Sequence, residues 1–231
     1  MIAKVQLAAA SMLALAVFAI NPVHADTVWN FNQPTGALGQ SHNYAGSDGT
    51  LLNAQAFGPN GGAGSSLPGP VQLFGKNDGG DENGVGLTND PSGDHEITMG
   101  SFIQLTIDHL LNPAGLSFMA GSTTDGEAWA VYGTNTAGTI GSGTIPAGAM
   151  LLLSCNSGVS SNCEGSFTFN NPMGFNFLDV TETTAGGNIL LAELDGTRAV
   201  PGPIVGAGLP GLIAACGGLL ALARRRRQRT I

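Results

Sequence analysis

The densest group of polar side chains lies at residues 77–84, which read Asn-Asp-Gly-Gly-Asp-Glu-Asn-Gly. Carboxylate and amide oxygens among glycines suit Ca²⁺, because this cation takes six to eight oxygen ligands from a flexible loop. The spacing departs from the helix-loop-helix calcium pattern, since two glycines separate Asp78 from Asp81. An irregular Ca²⁺ site formed by Asp78, Asp81, Glu82 and Asn83 is therefore one hypothesis for this stretch. The alternative is a solvated acidic turn.

Other residue patterns that could support catalysis are sparse. The sequence has no Gly-x-Ser-x-Gly nucleophile elbow, no His-Glu-x-x-His zinc motif and no phosphate-binding Gly-Lys-Ser/Thr loop. Asp125 and Glu127 are a candidate acid pair for glycoside hydrolysis, although such pairs usually come from different strands. Two acids near a turn are more often solvated. We therefore predict no catalytic residue and no enzymatic activity.

Short β-strands must position these polar residues. Apolar residues alternate in several runs, for example at Ile103, Leu105 and Ile107, which is the period of a half-buried strand. Ten strands are predicted, at residues 27–31, 51–57, 71–74, 102–107, 116–120, 128–132, 150–154, 166–169, 175–180 and 189–194. Many short strands separated by Gly, Asn, Asp, Ser and Pro predict an all-β ectodomain, an antiparallel β-sandwich that is jelly-roll-like.

Two cysteines, Cys155 and Cys163, lie between residues 26 and 198. In an oxidising compartment an even pair flanking a polar loop predicts a disulfide that closes a hairpin. Loop entropy gives such a bond roughly 2.5 kcal/mol of stabilisation. The alternative is two free thiols.

Charge is strongly segregated along the chain. Residues 26–198 carry all 16 acidic side chains and 2 basic ones, a net charge of −14, whereas the whole chain has −8. Affinity for nucleic acids comes from neutralising phosphates with Lys and Arg. The acidic segment therefore excludes nucleic acid as a partner.

The first 25 residues have the pattern of a secretory signal peptide. Lys4 precedes an almost wholly apolar run at residues 5–20, Asn21-Pro22 interrupts it, and small residues precede Asp26. The alternative is an uncleaved membrane helix or a buried helix, but the run is short for a membrane span. We expect cleavage before Asp26 and a mature chain outside the cytoplasm.

The end of the chain has the pattern of a membrane anchor. Residues 204–223 contain no charged side chain, and twenty helical residues span roughly 30 Å, the thickness of a bilayer core. A cluster of arginines follows directly and would stop the helix on the cytoplasmic side: Arg224, Arg225, Arg226 and Arg227. The pattern predicts one C-terminal transmembrane helix, with residues 26–198 exported.

A short proline motif precedes this helix, formed by Val200, Pro201, Gly202 and Pro203. Together with the Gly-rich helix and the arginines, residues 199–229 resemble the PEP-CTERM sorting signal of exported bacterial proteins, in a variant with Pro-Gly-Pro instead of Pro-Glu-Pro. The resemblance implies recognition and cleavage by exosortase, a membrane enzyme. It also implies a Gram-negative bacterium that makes exopolysaccharide.

These features together predict a non-enzymatic surface or extracellular-matrix protein. The precursor is anchored in the inner membrane, processed by exosortase, and then released or attached to exopolysaccharide at the cell surface. A carbohydrate-binding module or lectin-like domain is the alternative, since Trp29, Trp129, Tyr44 and Tyr132 could stack on sugar rings. An exported glycan hydrolase ranks last. No cofactor other than Ca²⁺ is predicted.

Overall fold

A computed structural model describes residues 24–60, 69–108, 114–123, 127–156 and 163–199. Within these ranges the chain forms fourteen β-strands and no helix. The strands are β1 (His24–Asn30), β2 (Gly36–Gly39), β3 (Ser41–Ala45), β4 (Leu51–Phe57), β5 (Leu73–Asn77), β6 (Asn83–Leu87), β7 (Ile97–Thr98), β8 (Phe102–Thr106), β9 (Ala114–Gly121), β10 (Ala128–Thr134), β11 (Met150–Asn156), β12 (Gly165–Asn170), β13 (Phe177–Glu182) and β14 (Asn188–Ala199).

The predicted signal peptide, except its last two residues, lies outside the described ranges, and so does the predicted sorting tail from residue 200 onward. The proline motif, the apolar segment 204–223 and the arginine cluster therefore stay sequence-based predictions. Among the described residues, no helix is long and apolar enough to span a bilayer.

The strands assemble into two antiparallel sheets that pack as a β-sandwich. One sheet has eight strands, with β12, β9, β14, β6, β5 and β2 in spatial order and with β1 and β7 both paired to β14. The other has six strands, in the order β11, β10, β13, β8, β4 and β3. Residues Ala25–Arg198 form one compact unit. The predicted all-β class and antiparallel sandwich are thus confirmed.

A single hydrophobic core separates the sheets. Strand β4 buries Leu52, Ala54 and Ala56 on its inner face, and Ala54 pairs with Leu105 of β8 in the same layer. The eight-stranded sheet faces them with Trp29, Leu73, Val85, Leu87, Phe118 and Leu191. Each fully buried apolar side chain of this size contributes about 1.5–3 kcal/mol to the stability of the fold. The alternation of apolar residues in the sequence therefore determines which face of each strand points into the core.

Each of the ten predicted strands overlaps an observed one, and β4 has the predicted bounds. Four strands were not predicted: β2, β3, β6 and β7. Strand β2 reads Gly-Ala-Leu-Gly, and β3 buries one large side chain, Tyr44, among polar residues. Strand β6 begins inside the acidic stretch that the sequence analysis assigned to a loop. Their local composition lacks the apolar alternation of a strand. They form because they pair with neighbouring strands of the sheets.

Cys155 and Cys163 form the predicted disulfide, with a Cα–Cα distance of 5.6 Å. The predicted hairpin around it is wrong. Cys155 lies on β11 of the six-stranded sheet, whereas Cys163 lies two residues before β12 of the eight-stranded sheet. The bond therefore closes a crossover between the two sheets, at an edge strand of each.

Part of the outer face of the six-stranded sheet is covered as well. Residues 135–149, which join β10 to β11 and are here called the cover segment, run across it. The backbone N–H of Gly138 donates to Gln104 Oε1 at 3.1 Å, and Gln104 Nε2 donates to Thr136 O at 3.3 Å. Under this segment Phe57 and Phe102 stack with ring centroids 4.8 Å apart, each at most 1% exposed.

Candidate functional site

Several charged residues converge at one end of the sandwich because strand ends meet there. Lys76 lies near the end of β5, Glu82 directly precedes β6, and Glu96 directly precedes β7. Ser122 directly follows β9 and Glu127 directly precedes β10. In an antiparallel arrangement the end of one strand lies beside the start of the next, so residues up to about fifty positions apart reach one place.

These residues border a cavity of about 330 Å³, here called the acid pocket. Its walls are formed by Lys76, Glu82, Asp94, Glu96, Ser122, Glu127 and Asn188. Four of these seven side chains are carboxylic acids and one is basic. The pocket is therefore strongly electronegative whenever its acids are ionised.

Lys76 and Ser122 join the two central acids. Lys76 Nζ contacts Glu82 Oε2 and lies 2.8 Å from Glu96 Oε1. Ser122 Oγ lies 2.7 Å from Glu82 Oε1 and 2.8 Å from Glu96 Oε1. A serine hydroxyl carries one hydrogen and cannot fully satisfy two ionised carboxylates at once. The three hydrogens of the Lys76 ammonium group supply the further donors that the two acids need.

The surroundings shift the pKa values of these two acids in opposite directions. Burial raises the pKa of Glu96, which is 3% exposed, and the hydrogen bonds from Lys76 and Ser122 oppose this rise without cancelling it. Burial also acts to raise the pKa of Glu82, but hydrogen bonds from Lys76 and Ser122 outweigh it and lower that pKa. Desolvation acts to lower the pKa of Lys76, whereas its two acidic partners raise it well above its usual range. Of the two acids, Glu96 therefore has the higher pKa and Glu82 the lower one.

Two residues with left-handed backbone hold this geometry. Ser122 has φ +53° and His95 has φ +62°, a conformation that costs a non-glycine residue about 1–2 kcal/mol. The Ser122 N–H donates to Asp81 O at 2.9 Å, and the His95 ring stacks on Phe74 with centroids 3.9 Å apart. Local strain is thus offset by contacts that fix where Ser122 and Glu96 lie.

The loop before Glu96 is held from inside by a buried acid. Asp90 is 2% exposed, and its carboxylate accepts hydrogen bonds from the Ser92 N–H at 2.9 Å and the Glu96 N–H at 3.2 Å. Gly86 on β6 lets this loop approach the sheet, because a Cβ there would overlap the carbonyl oxygen of His95. The backbone of Glu96 is therefore fixed by the hydrogen bond of its N–H to Asp90 and by the close approach of its Cα to Gly86.

A second buried acid lies next to the pocket. Glu182, 1% exposed, accepts from the Thr184 N–H at 2.6 Å and the Ala128 N–H at 3.2 Å. Burial raises its pKa, these hydrogen bonds oppose the rise, and the neighbouring Glu127 adds to it. The Glu127 carboxylate accepts from the Asn188 N–H at 3.2 Å. Both acids therefore tie the start of β10 to the turn before β14.

Two of the four residues predicted to bind Ca²⁺ have other contacts. Glu82 faces Lys76, whereas the Asn83 side chain closes the turn by accepting from the Gly79 N–H at 3.2 Å and donating to Gly80 O. Asp78 and Asp81 are exposed. The described part of the chain contains no group of three or more His, Cys, Asp or Glu side chains placed to hold a metal ion. Calcium binding stays a prediction.

Asp81 and Asn83 instead border a second depression, here called the amide groove, of about 310 Å³. Asn30, Asn32 and Glu164 provide further polar groups along it. Met119 also lines it, together with four small residues, here called the floor residues: Ala120, Gly121, Gly165 and Ala192. The groove therefore offers amide and carboxylate groups beside a lining of mostly small side chains.

Three of the aromatic residues considered for sugar stacking belong to the core. Trp29 and Trp129 are fully buried and Tyr44 is 3% exposed, so their rings do not reach solvent. Asp125 lies outside the described residues, and Glu127 is 8% exposed. Of this group the sequence pattern singles out Glu82 but not its partners Lys76, Glu96 and Ser122. The signal that the sequence offers for this group is Lys76, a single lysine in an acidic segment.

Comparisons with known proteins give limited information. No protein-family model matches the chain, and no curated protein is significantly similar to it. Among solved structures, the K1 cleaved adhesin domain of Lys-gingipain from Porphyromonas gingivalis aligns at a TM-score of 0.32 and 12% identity. That alignment covers 76% of this chain and 99% of the adhesin domain. A TM-score this low does not establish a shared fold.

Replacing Lys76 by methionine should destabilise the domain in a pH-dependent way. At pH 8 the acids lose their cation, and we expect a loss of about 2 kcal/mol, less than for a fully buried pair because Glu82 is partly exposed. Removing Lys76 raises the pKa of Glu96 further in the folded state, so stability falls as pH rises and returns on acidification. Urea denaturation at pH 5 and pH 8 measures this difference. Lys76→Arg is the control, and an equal loss at both pH values would contradict the assignment.

Proposed function

We propose that this chain is an exported, non-enzymatic surface or extracellular-matrix protein of an exopolysaccharide-producing bacterium. Its PEP-CTERM-like tail would anchor the precursor in the inner membrane for processing by exosortase. The observation that carries the proposal is the order of parts: an apolar N-terminal run, a disulfide-bonded all-β domain, a proline motif, and an apolar segment followed by arginines. The domain itself is proposed to be jelly-roll-like.

The disulfide supports export. Disulfides persist in oxidising compartments and are rare in the cytosol, where thiols are kept reduced. Cys155 and Cys163 are 7% and 4% exposed, and they link the edge strands of both sheets. The domain thus contains a disulfide, which is stable in the oxidising compartment outside the inner membrane.

The charge distribution supports a matrix role rather than nucleic-acid binding. Residues 26–198 carry 16 acidic and 2 basic side chains, and Lys76, one of the two, is already paired with Glu82 and Glu96. Such a surface repels phosphate backbones and keeps the domain soluble at high local concentration.

A tail fusion tests the sorting step. Residues 199–231 are fused to a neutral, signal-bearing reporter and expressed in a host that contains exosortase. We expect membrane retention followed by tail-dependent shortening, measured by cell fractionation and intact mass. Changing the residues 224–227 to glutamine should abolish retention, whereas changing them to lysine should preserve it. If the reporter has the same mass and the same location with the tail as without it, the proposal is contradicted.

The amide groove favours a second function, carbohydrate binding. Amide and carboxylate side chains offer the donors and acceptors that sugar hydroxyls need, and the small floor residues allow a ring to lie flat. In affinity electrophoresis against the host's exopolysaccharide, we expect Asn32→Ala and Asp81→Ala to weaken retention about tenfold. Asn53→Ala on the other sheet is the control. Unchanged retention in both groove variants would remove this function.

A further inference from the structure

Asp179 on β13 is a carboxylic acid buried beneath the cover segment. It is 0% exposed, and its Oδ1 accepts one hydrogen bond, from Gln104 Nε2 at 2.7 Å. Its Oδ2 has no hydrogen-bond partner. A buried carboxylate with one hydrogen bond is costly, whereas a neutral carboxylic acid at the same place is far less so.

Among the residues that the structure describes, no cation compensates a charge at this position. The cover segment, residues 135–149, contains no ionisable side chain. The adjacent strand β10 places Tyr132 beside Asp179, and β8 on the other side places the neutral Gln104 there. Tyr132 is therefore the one titratable group that these neighbouring elements direct towards the acid, and it cannot supply a positive charge. Burial accordingly raises the pKa of Asp179 to about 7, against the opposing hydrogen bond from Gln104.

The same amide that contacts Asp179 also holds the cover. Gln104 Nε2 donates both to Asp179 and to Thr136 O, while Gln104 Oε1 accepts from the Gly138 N–H. Gly138 lies against the Phe57 ring, so the segment seals the stacked Phe57 and Phe102 rings. A charge on Asp179 would draw water into the space that the cover closes, because its Oδ2 has no hydrogen-bond partner there.

We propose that the cover segment is a pH-sensitive lid, closed over the outer face of the six-stranded sheet when Asp179 is protonated and opened when Asp179 ionises. Opening hydrates the carboxylate and exposes the aromatic pair beneath. The device needs no movement in the core between the sheets, because Asp179 and Gln104 lie on the opposite face of their strands from Val180 and Leu105.

Hydrogen exchange of the full-length chain tests the lid. After correction for intrinsic exchange, backbone exchange within residues 135–149 should rise about tenfold from pH 6 to pH 8.5, the increase that proton linkage gives for an acid titrating near 7. Strand β8 should stay protected over the same range. Asp179→Asn, which keeps the size and the contact with Gln104, should abolish the rise.

Two controls identify the group responsible. Asp195→Asn removes another acid whose pKa burial raises, on β14 away from the cover, and should leave the tenfold rise intact. Tyr132→Phe should also leave it intact. A flat profile in the unaltered protein overturns the proposal, and so does a rise that persists in Asp179→Asn or that occurs equally in β8.

Discussion

Replacing Trp129 by alanine should lower the free energy of unfolding by about 4 kcal/mol, the middle of the range for aromatic truncations in a core. The side chain is fully buried, and its ring contacts Phe118 and Phe167 at centroid distances of 4.8 and 5.0 Å. Its Nε1–H donates to the carbonyl oxygen of Cys163 at 3.0 Å. Trp129 thus joins the six-stranded sheet to two strands of the other sheet and to the disulfide.

Urea denaturation of the oxidised protein measures this effect. Trp129→Phe is the matched variant, because it retains an aromatic ring but loses the hydrogen bond to Cys163, and it should cost about 1–2 kcal/mol. A loss below 1 kcal/mol for Trp129→Ala would mean that the core relaxes around the missing ring. In that case the link between the sheets would depend chiefly on the disulfide.

Gly86→Ala is the second change with a large expected effect, a loss of about 3 kcal/mol. The added methyl group would overlap the backbone oxygen of His95 and lie 2.7 Å from the Cα of Glu96. Rigid backbone on the facing loop cannot rotate away as a side chain can. The loop must therefore shift, and Glu96 would move out of reach of Lys76.

Gly79→Ala is the comparison for this substitution. Gly79 has φ +92° with open space around it, so alanine there adds backbone strain of about 1–2 kcal/mol and no collision. If Gly86→Ala acts through Glu96, it should also reduce the extra stability loss caused by Lys76→Met in the double variant. Equal losses for the two glycine variants, with full additivity to Lys76→Met, would rule out the collision.

The sequence predicted the strands that bury alternate apolar residues, and pairing formed the others. Leu52, Ala54 and Ala56 mark β4 unambiguously, since one face must be buried. Strand β6 carries Val85 and Leu87 between glycines and an acidic turn, and its strand character comes from pairing with β5. The disulfide was predictable from residue spacing, but the sheet change between Cys155 and Cys163 was not, because composition does not encode which sheet a strand joins.

The acid pocket was less predictable than the strands. Glu82 was singled out as a Ca²⁺ ligand because it lies among other acids, yet in the folded chain it faces Lys76 and Ser122. Ser122 is 40 positions from Glu82 and has no distinguishing neighbour in the sequence. Its role depends on the antiparallel pairing that brings the end of β9 beside the start of β6 across β14. Only the three-dimensional topology supplies that information.

The pairing of Lys76 with two acids also bears on how long the exported domain survives. Proteases of the trypsin type cut after Lys or Arg, and between Asp26 and Arg198 the chain offers them two such residues. Lys76 is on a paired strand, with its ammonium group held by Glu82 and Glu96. Arg198 is at the boundary with the proline motif. An extracellular protease of this specificity would therefore meet a domain with almost no cleavable bond in its body.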